Sequence, residues 1–255
     1  MKQVVMNRRQ LVAGLASGTV VACTVNPNTG RSQLMLVSDG QLAQLSQGAW
    51  AEVRSQEKVS TNAALNNQLE RVGSRITSAA GMAGQSWEYA VFESDERNAF
   101  VLPGRQVGFY SGLMELADND DQIATVLGHE VGHVTGRHAA ERYSQNIAVG
   151  VGTTAAAVAL NESDTRYKQE IAAVLGLGVT FGYLLPFSRA HELEADALGV
   201  DYMAAAGYDP NQAVVFWRKM QAAGGPRQPE FASTHPDPDR RIQRIQDLIR
   251  ERGYA

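Results

Sequence analysis

Asp121-Gln122-Ile123-Ala124-Thr125-Val126-Leu127-Gly128-His129-Glu130-Val131-Gly132-His133 is the stretch from which the rest of the chain is read. Ile123, Val126 and Leu127 recur at helical spacing and form one apolar stripe. His129 and His133 stand four residues apart on the same helix, so both imidazoles leave from one face. Two such histidines supply two of the three protein ligands of a catalytic zinc, whose remaining position stays open for water. Glu130, next to the first histidine, points at that water and not at the metal. It is expected to serve as general base and then as proton donor.

The third ligand decides which kind of site this is. A further histidine ten residues after His129 would make one class of zinc site, but position 139 is Ala and His138 falls one residue short. The other solution is a glutamate from a later helix. Ser188-Arg189-Ala190-His191-Glu192-Leu193-Glu194-Ala195-Asp196-Ala197 places Glu192 and Asp196 four residues apart on one face and sends Glu194 elsewhere. Glu192 is therefore read as the ligand and Asp196 as the acceptor that fixes the tautomer of a zinc-bound histidine. Glu194 is read as a solvated charge, and His138, off the ligand face, as structural.

With these residues in place the chain resembles the HtpX and CAAX-prenyl-protease family of gluzincin metallopeptidases over about residues 60–250. Arg137-His138 after the histidine pair and Ser188-Arg189 before Glu192 belong to the resemblance. So do Asn98-Ala99-Phe100-Val101-Leu102-Pro103-Gly104, similar to that family's strand beside the cleft, and His235-Pro236 with Arg241-Ile242, similar to its C-terminal motif. The resemblance implies a metalloendopeptidase with one zinc. It puts His235 in the cleft as a donor to the tetrahedral oxyanion and Arg241 beside it, orienting it or gripping the substrate backbone. Asn98, Ala99 and Phe100 are implied to bind an extended peptide by strand addition, a mode that reads backbone and suits unfolded segments. The chain is most similar to the short lipidated members and to Oma-type proteases. It lacks the spanning helices and tetratricopeptide repeats of other members, so prenylated substrates are not implied. Unfolded or misassembled envelope proteins are.

The surrounding sequence fits one large domain. It has 255 residues, 44% of them hydrophobic, enough for a buried core. A formal net charge of -4 excludes a nucleic-acid surface built on bulk positive charge. Trp87 to Phe92, Asn98 to Leu102 and Gln106 to Tyr110 read as short strands, the last two joined across Pro103-Gly104-Arg105. Helices are expected over Ser38 onward with Leu42, Leu45, Ala49 and Val53 on one face, Thr61–Ala80, Gly112–Ala117, Asp121–Tyr143, Thr165–Leu185, Ser188–Ala206, Pro210–Ala223 and Asp239–Arg250. The fold class is α+β, mostly helical, with a small sheet beside the active-site helix. Two apolar runs, Ile147 to Leu160 and Ile171 to Phe187, are at or below the roughly 17–25 residues needed to span a bilayer and are read as a buried hairpin, the alternative being a hairpin that dips into the membrane.

The N-terminus reads differently. Lys2, Arg8 and Arg9 precede an uncharged stretch, and Val20-Val21-Ala22-Cys23 resembles a lipobox. Residues 1–22 are expected to be a lipoprotein signal peptide, Cys23 the lipidated residue, 23–38 a turn-rich tether and 39–255 the zinc peptidase domain. Cys23 is the single cysteine, so no internal disulfide forms. Thr24 after it suits sorting to the outer membrane, with the domain facing the periplasm. Two other functions remain open at this stage. One is a non-catalytic, chaperone-like lipoprotein with a structural zinc. The other is a latent enzyme whose open zinc position is filled by a loop histidine, His235 or His191.

Overall fold

The computed structural model describes residues 23–159, 187–223, 231, 235 and 238–254. The expected signal peptide, the helix over 165–185 and most of the second apolar run lie outside the described residues. In chain order the elements are β1 (Cys23–Val25), β2 (Ser32–Leu34), α1 (Asp39–Gln56), α2 (Ala63–Ala79), β3 (Glu88–Phe92), β4 (Ala99–Val101), β5 (Gln106–Tyr110), α3 (Ser111–Leu116), α4 (Asp120–Thr135), α5 (His138–Ala159), α6 (Arg189–Ala205), α7 (Asn211–Ala223) and α8 (Pro238–Arg252). The class is α+β and mostly helical, as the sequence indicates. Among the described residues no helix is long and apolar enough to cross a membrane.

Helix starts follow local chemistry. Ser38 closes a capping box on α1, its hydroxyl accepting from the Gln41 amide at 3.2 Å while the Gln41 side chain accepts from the Ser38 amide at 2.9 Å. Asn119 caps α4 by accepting from the Gln122 amide at 3.0 Å, and Asp120 and Asp121 place negative charge in its first turn. Ser188 caps α6 through the His191 amide at 3.2 Å, which sets where Glu192 and Asp196 fall along that helix.

The main core gathers Leu69, Val72 and Ile76 of α2, Val107 and Phe109 of β5, Ile123, Val126, Leu127 and Val131 of α4, and Val200 and Met203 of α6. Burying each such side chain contributes about 1.5–3 kcal/mol. Helices α4 and α6 approach unusually closely at two glycines. A Cβ on Gly132 would lie 2.7 Å from the Ala195 carbonyl oxygen, and one on Gly128 would lie 2.9 Å from that of Gly199. This notch brings the acidic face of α6 against the two histidines of α4.

The three-stranded sheet has the order β3-β5-β4, β3 parallel and β4 antiparallel to β5. The turn joining β4 to β5 closes through the Arg105 amide donating to the Leu102 carbonyl at 2.8 Å. Strand β4 is thus an edge. Tyr110 donates to the Asn98 carbonyl at 3.1 Å and Leu102 to that of Gln106 at 2.9 Å, so Ala99 and Val101 turn their backbone groups away from β5.

Two parts of the chain depart from the sequence reading. The helix expected over Asp121–Tyr143 is two helices, because the chain turns at Gly136 and at Arg137, whose φ of +56° lies in the left-handed region. Gly136 leaves room for the next ring: a Cβ there would stand 2.5 Å from Nε2 of His138. Residues 23–38, expected as a tether, contain the antiparallel β1–β2 hairpin, seated on the turn between α4 and α5. Asn26 donates to the Thr135 carbonyl at 3.0 Å and Gln33 to that of Gly136 at 2.6 Å. Strands of three residues carry too little alternation to be read from sequence, and side-chain bonds hold them in place.

Candidate metal centre

His129 and His133 leave α4 toward Glu192 of α6. Their Nε2 atoms are 3.0 Å apart, and each lies 3.4 Å from a Glu192 carboxylate oxygen. His235 joins them, its Nδ1 standing 3.1 Å from Nε2 of His129 and 3.1 Å from Oε1 of Glu192. One ligand atom from each of the four residues lies within 4.8 Å of every other, and all four are buried.

The outward nitrogens show why these atoms converge. Nδ1 of His129 is 2.8 Å from Oδ1 of Asp196, and Nδ1 of His133 is 2.9 Å from Nδ1 of His138. With Nδ1 of each ring donating, the two Nε2 atoms are the ones turned toward one another across 3.0 Å, where a shared cation takes the place of the proton that His129 otherwise carries there. Zinc bonds of about 2.0–2.1 Å place tetrahedral donors about 3.3 Å apart, close to the separations seen here. The donor set of imidazoles and one carboxylate fits zinc.

Charge around the cluster is arranged to keep Glu192 ionised. Burial alone would raise its carboxyl, but His235 and Arg241 beside it and the two α4 histidines hold it well below the usual carboxylate range. Burial keeps His133 neutral. For His129, burial and Arg241 oppose the proton while Asp196 and Glu192 favour it, and the balance without metal is a value raised to about 9. Metal binding at this ring therefore displaces a proton. Burial raises Glu130, with His235 and His129 only partly offsetting it, as suits a group that must take up and return a proton.

Glu130 is held by one oxygen only. Its Oε2 accepts from the Val101 amide at 3.2 Å, and its Oε1 has no hydrogen-bond partner among the described residues and lies 3.4 Å from Nε2 of His235. The groove over this carboxylate is lined by Leu42, Ala49 and Val53 of α1 and by Asn98, Ala99 and Phe100 at β4. The strand residues singled out from the sequence thus sit beside Glu130.

His235 lines the groove with Glu130, and its Nδ1 also stands among the ligand atoms, the ring stacked on Phe231 with centres 4.1 Å apart. Two residues take places other than those expected. Arg241 is 3% exposed, so it does not grip substrate. Its guanidinium donates to Asp196 at 2.7 and 2.8 Å and lies over the Trp217 ring, because the buried carboxylates of α6 require a buried cation. Glu194 is not solvated: it accepts from Nε2 of His138 at 2.9 Å and from Arg31 at 3.0 Å. The sequence also failed to reveal Arg31, Glu141 and Phe187, the last stacked on His133 with ring centres 3.9 Å apart. Only Arg137-His138, next to the histidine pair, carried a signal of this outer layer.

Comparison with known proteins places this geometry. The family model described as "Peptidase family M48" matches residues 63–249. The chain is 38% identical to the mitochondrial metalloendopeptidase OMA1 of Schizosaccharomyces pombe, over 72% of this chain and 52% of that protein. It is 31% identical to the mitochondrial metalloendopeptidase OMA1 of Bos taurus, over 88% of this chain and 46% of that protein. To the beta-barrel assembly-enhancing protease of Escherichia coli it is 28% identical, over 92% and 52% respectively. The chain spans about half the length of the curated relatives it matches.

Proposed function

The chain belongs to peptidase family M48, whose members are zinc-dependent metallopeptidases, and from that premise we propose that it is an endopeptidase that cleaves unfolded or misassembled proteins of the cell envelope. The observation that carries this reading is the buried His129, His133 and Glu192 cluster with Glu130 fixed beside it against an open sheet edge. Zinc, when bound there, supplies Lewis-acid activation of a water and polarises the scissile carbonyl.

The residues of the chain divide the remaining work. Asp196 orients His129, and Arg241 keeps Asp196 ionised. The Val101 amide holds Oε2 of Glu130, leaving Oε1 to receive the proton of the attacking water and pass it to the leaving amine. An extended peptide adds to the outer edge of β4, with Asn98, Ala99 and Phe100 along its path and the apolar side of α1 opposite. Recognition through backbone suits segments that have lost their fold. In support, one similar protein is named for enhancing β-barrel assembly.

The N-terminus completes the proposal. Cys23 is exposed at the start of β1. Acylation there after removal of residues 1–22 would hold the peptidase domain, residues 39–255, at the periplasmic side of a membrane, with Thr24 favouring the outer one. Nucleic acid has no part in this account. The enzyme is expected to degrade casein, to stop when treated with a chelator and to resume when zinc is returned. Casein degradation indifferent to chelation would contradict it.

A second reading has its own observation. His235 brings Nδ1 into the ligand cluster, and a zinc held by four protein groups has no position left for water. We propose that this is a latent state, from which the enzyme becomes active when His235 withdraws.

A further inference from the structure

The two histidines of α4 are oriented in parallel ways, one of which reaches the N-terminal hairpin. His129 donates through Nδ1 directly to Asp196, a carboxylate gripped by Arg241. His133 reaches a carboxylate through an interposed ring. Its Nδ1 is 2.9 Å from Nδ1 of His138, whose Nε2 is 2.9 Å from Oε2 of Glu194, which accepts in turn from Nε of Arg31 at 3.0 Å.

This chain has one consistent direction. His133 needs its Nε2 lone pair for the metal, so Nδ1 carries the proton and donates it to His138. His138 then carries its own proton on Nε2 and donates to Glu194. Arg31 fixes the far end with a second grip, donating to both Glu141 oxygens at 2.8 and 2.6 Å. Glu141 also accepts from Gln33 at 2.9 Å and contacts Nε2 of His191 at 3.1 Å. His138 is fully buried, with a relative exposure of 0%, so its ring has no water to exchange with and its orientation depends on these partners.

We propose that Arg31 of the β1–β2 hairpin is a positioning residue of the metal centre, acting through Glu194 and His138 to hold the ring of His133. The inference rests on the reading of the cluster as a zinc site. It makes the hairpin that follows Cys23 part of that site's outer shell, so that displacing the hairpin loosens the metal as well as the N-terminus. Removing such an outer partner lowers metal affinity by roughly ten- to a hundred-fold.

The test compares the full chain with three variants: Arg31→Met, Glu194→Gln and Asn26→Ala. The last removes the hairpin's bonds from Asn26 to the Thr135 carbonyl, to Gln33 and from the Asn28 amide, but no member of the His133 relay. Zinc release to a chelating dye is timed for each loaded protein, the visible spectrum of each cobalt-substituted protein is recorded, and the melting of each metal-free protein is measured. Arg31→Met and Glu194→Gln are expected to release zinc roughly ten- to a hundred-fold faster than wild type and than Asn26→Ala, with altered cobalt spectra. Release no faster than from wild type, with an unchanged spectrum, would leave Arg31 a clamp for the hairpin and overturn the proposal. If Arg31→Met does not fold, the Glu194→Gln result decides alone. A wild type that takes up no zinc sinks the underlying reading and this inference with it, whereas a wild type that holds zinc beside indifferent variants sinks the inference only.

Discussion

At the scale of single residues, the site is a set of buried charges that exist only because each has a partner. Asp196, Glu192 and Arg241 are each at most 3% exposed, and Arg241 lies within 3.2 Å of both carboxylates. Breaking such a set by removing one member costs about 3–5 kcal/mol, since the remaining charges stay buried without compensation. Arg241→Met is therefore expected to destabilise the metal-free protein by about that amount in urea unfolding. A loss below about 1 kcal/mol would show that Arg241 is not the compensating cation. The grouping of these residues was legible in the sequence because spacing fixes it: His129 and His133 share a helical face, and so do Glu192 and Asp196. The role of Arg241 was not, because its distance along the chain says nothing about which side of Asp196 it meets. Glu194 was misread for the same reason. Its partner Arg31 is a hundred and sixty-three residues away in sequence.

At the scale of elements, the centre is made by two helices crossing at a glycine notch. Gly128 and Gly132 read as ordinary members of an apolar helix, yet their missing side chains let α4 meet α6 closely enough for Glu192 to approach both histidines. Gly132→Ala forces a methyl group to within 2.7 Å of the Ala195 carbonyl oxygen. Overpacking of this kind costs about 1–3 kcal/mol, and here it also separates the ligands. Denaturant unfolding and zinc titration of Gly132→Ala are expected to show lowered stability and weakened zinc binding together. Unchanged zinc affinity would mean that the notch is not what sets the ligand spacing. Most helices and the three strands were legible because periodicity and caps mark them. The break at Arg137 was not, because a left-handed arginine leaves no compositional trace, and this break folds His138 back onto His133.

At the scale of the whole molecule, one groove joins α1, the edge of β4 and the metal centre, while the hairpin after Cys23 is bonded to the C-terminal end of α4. His235 decides whether the groove leads to an available metal position. Under the latent reading, His235→Ala is expected to raise casein cleavage several-fold without changing the zinc content. Equal or lower cleavage with full zinc would remove the latent state and return His235 to a role in the reaction. The central claim is tested most directly by metal analysis and casein proteolysis on wild type and Glu130→Gln side by side. The account predicts about one zinc per chain in both proteins and a loss of cleavage of roughly a hundred-fold or more in the variant, since the general base goes while the ligands stay. Cleavage retained in Glu130→Gln at the wild-type rate would contradict it.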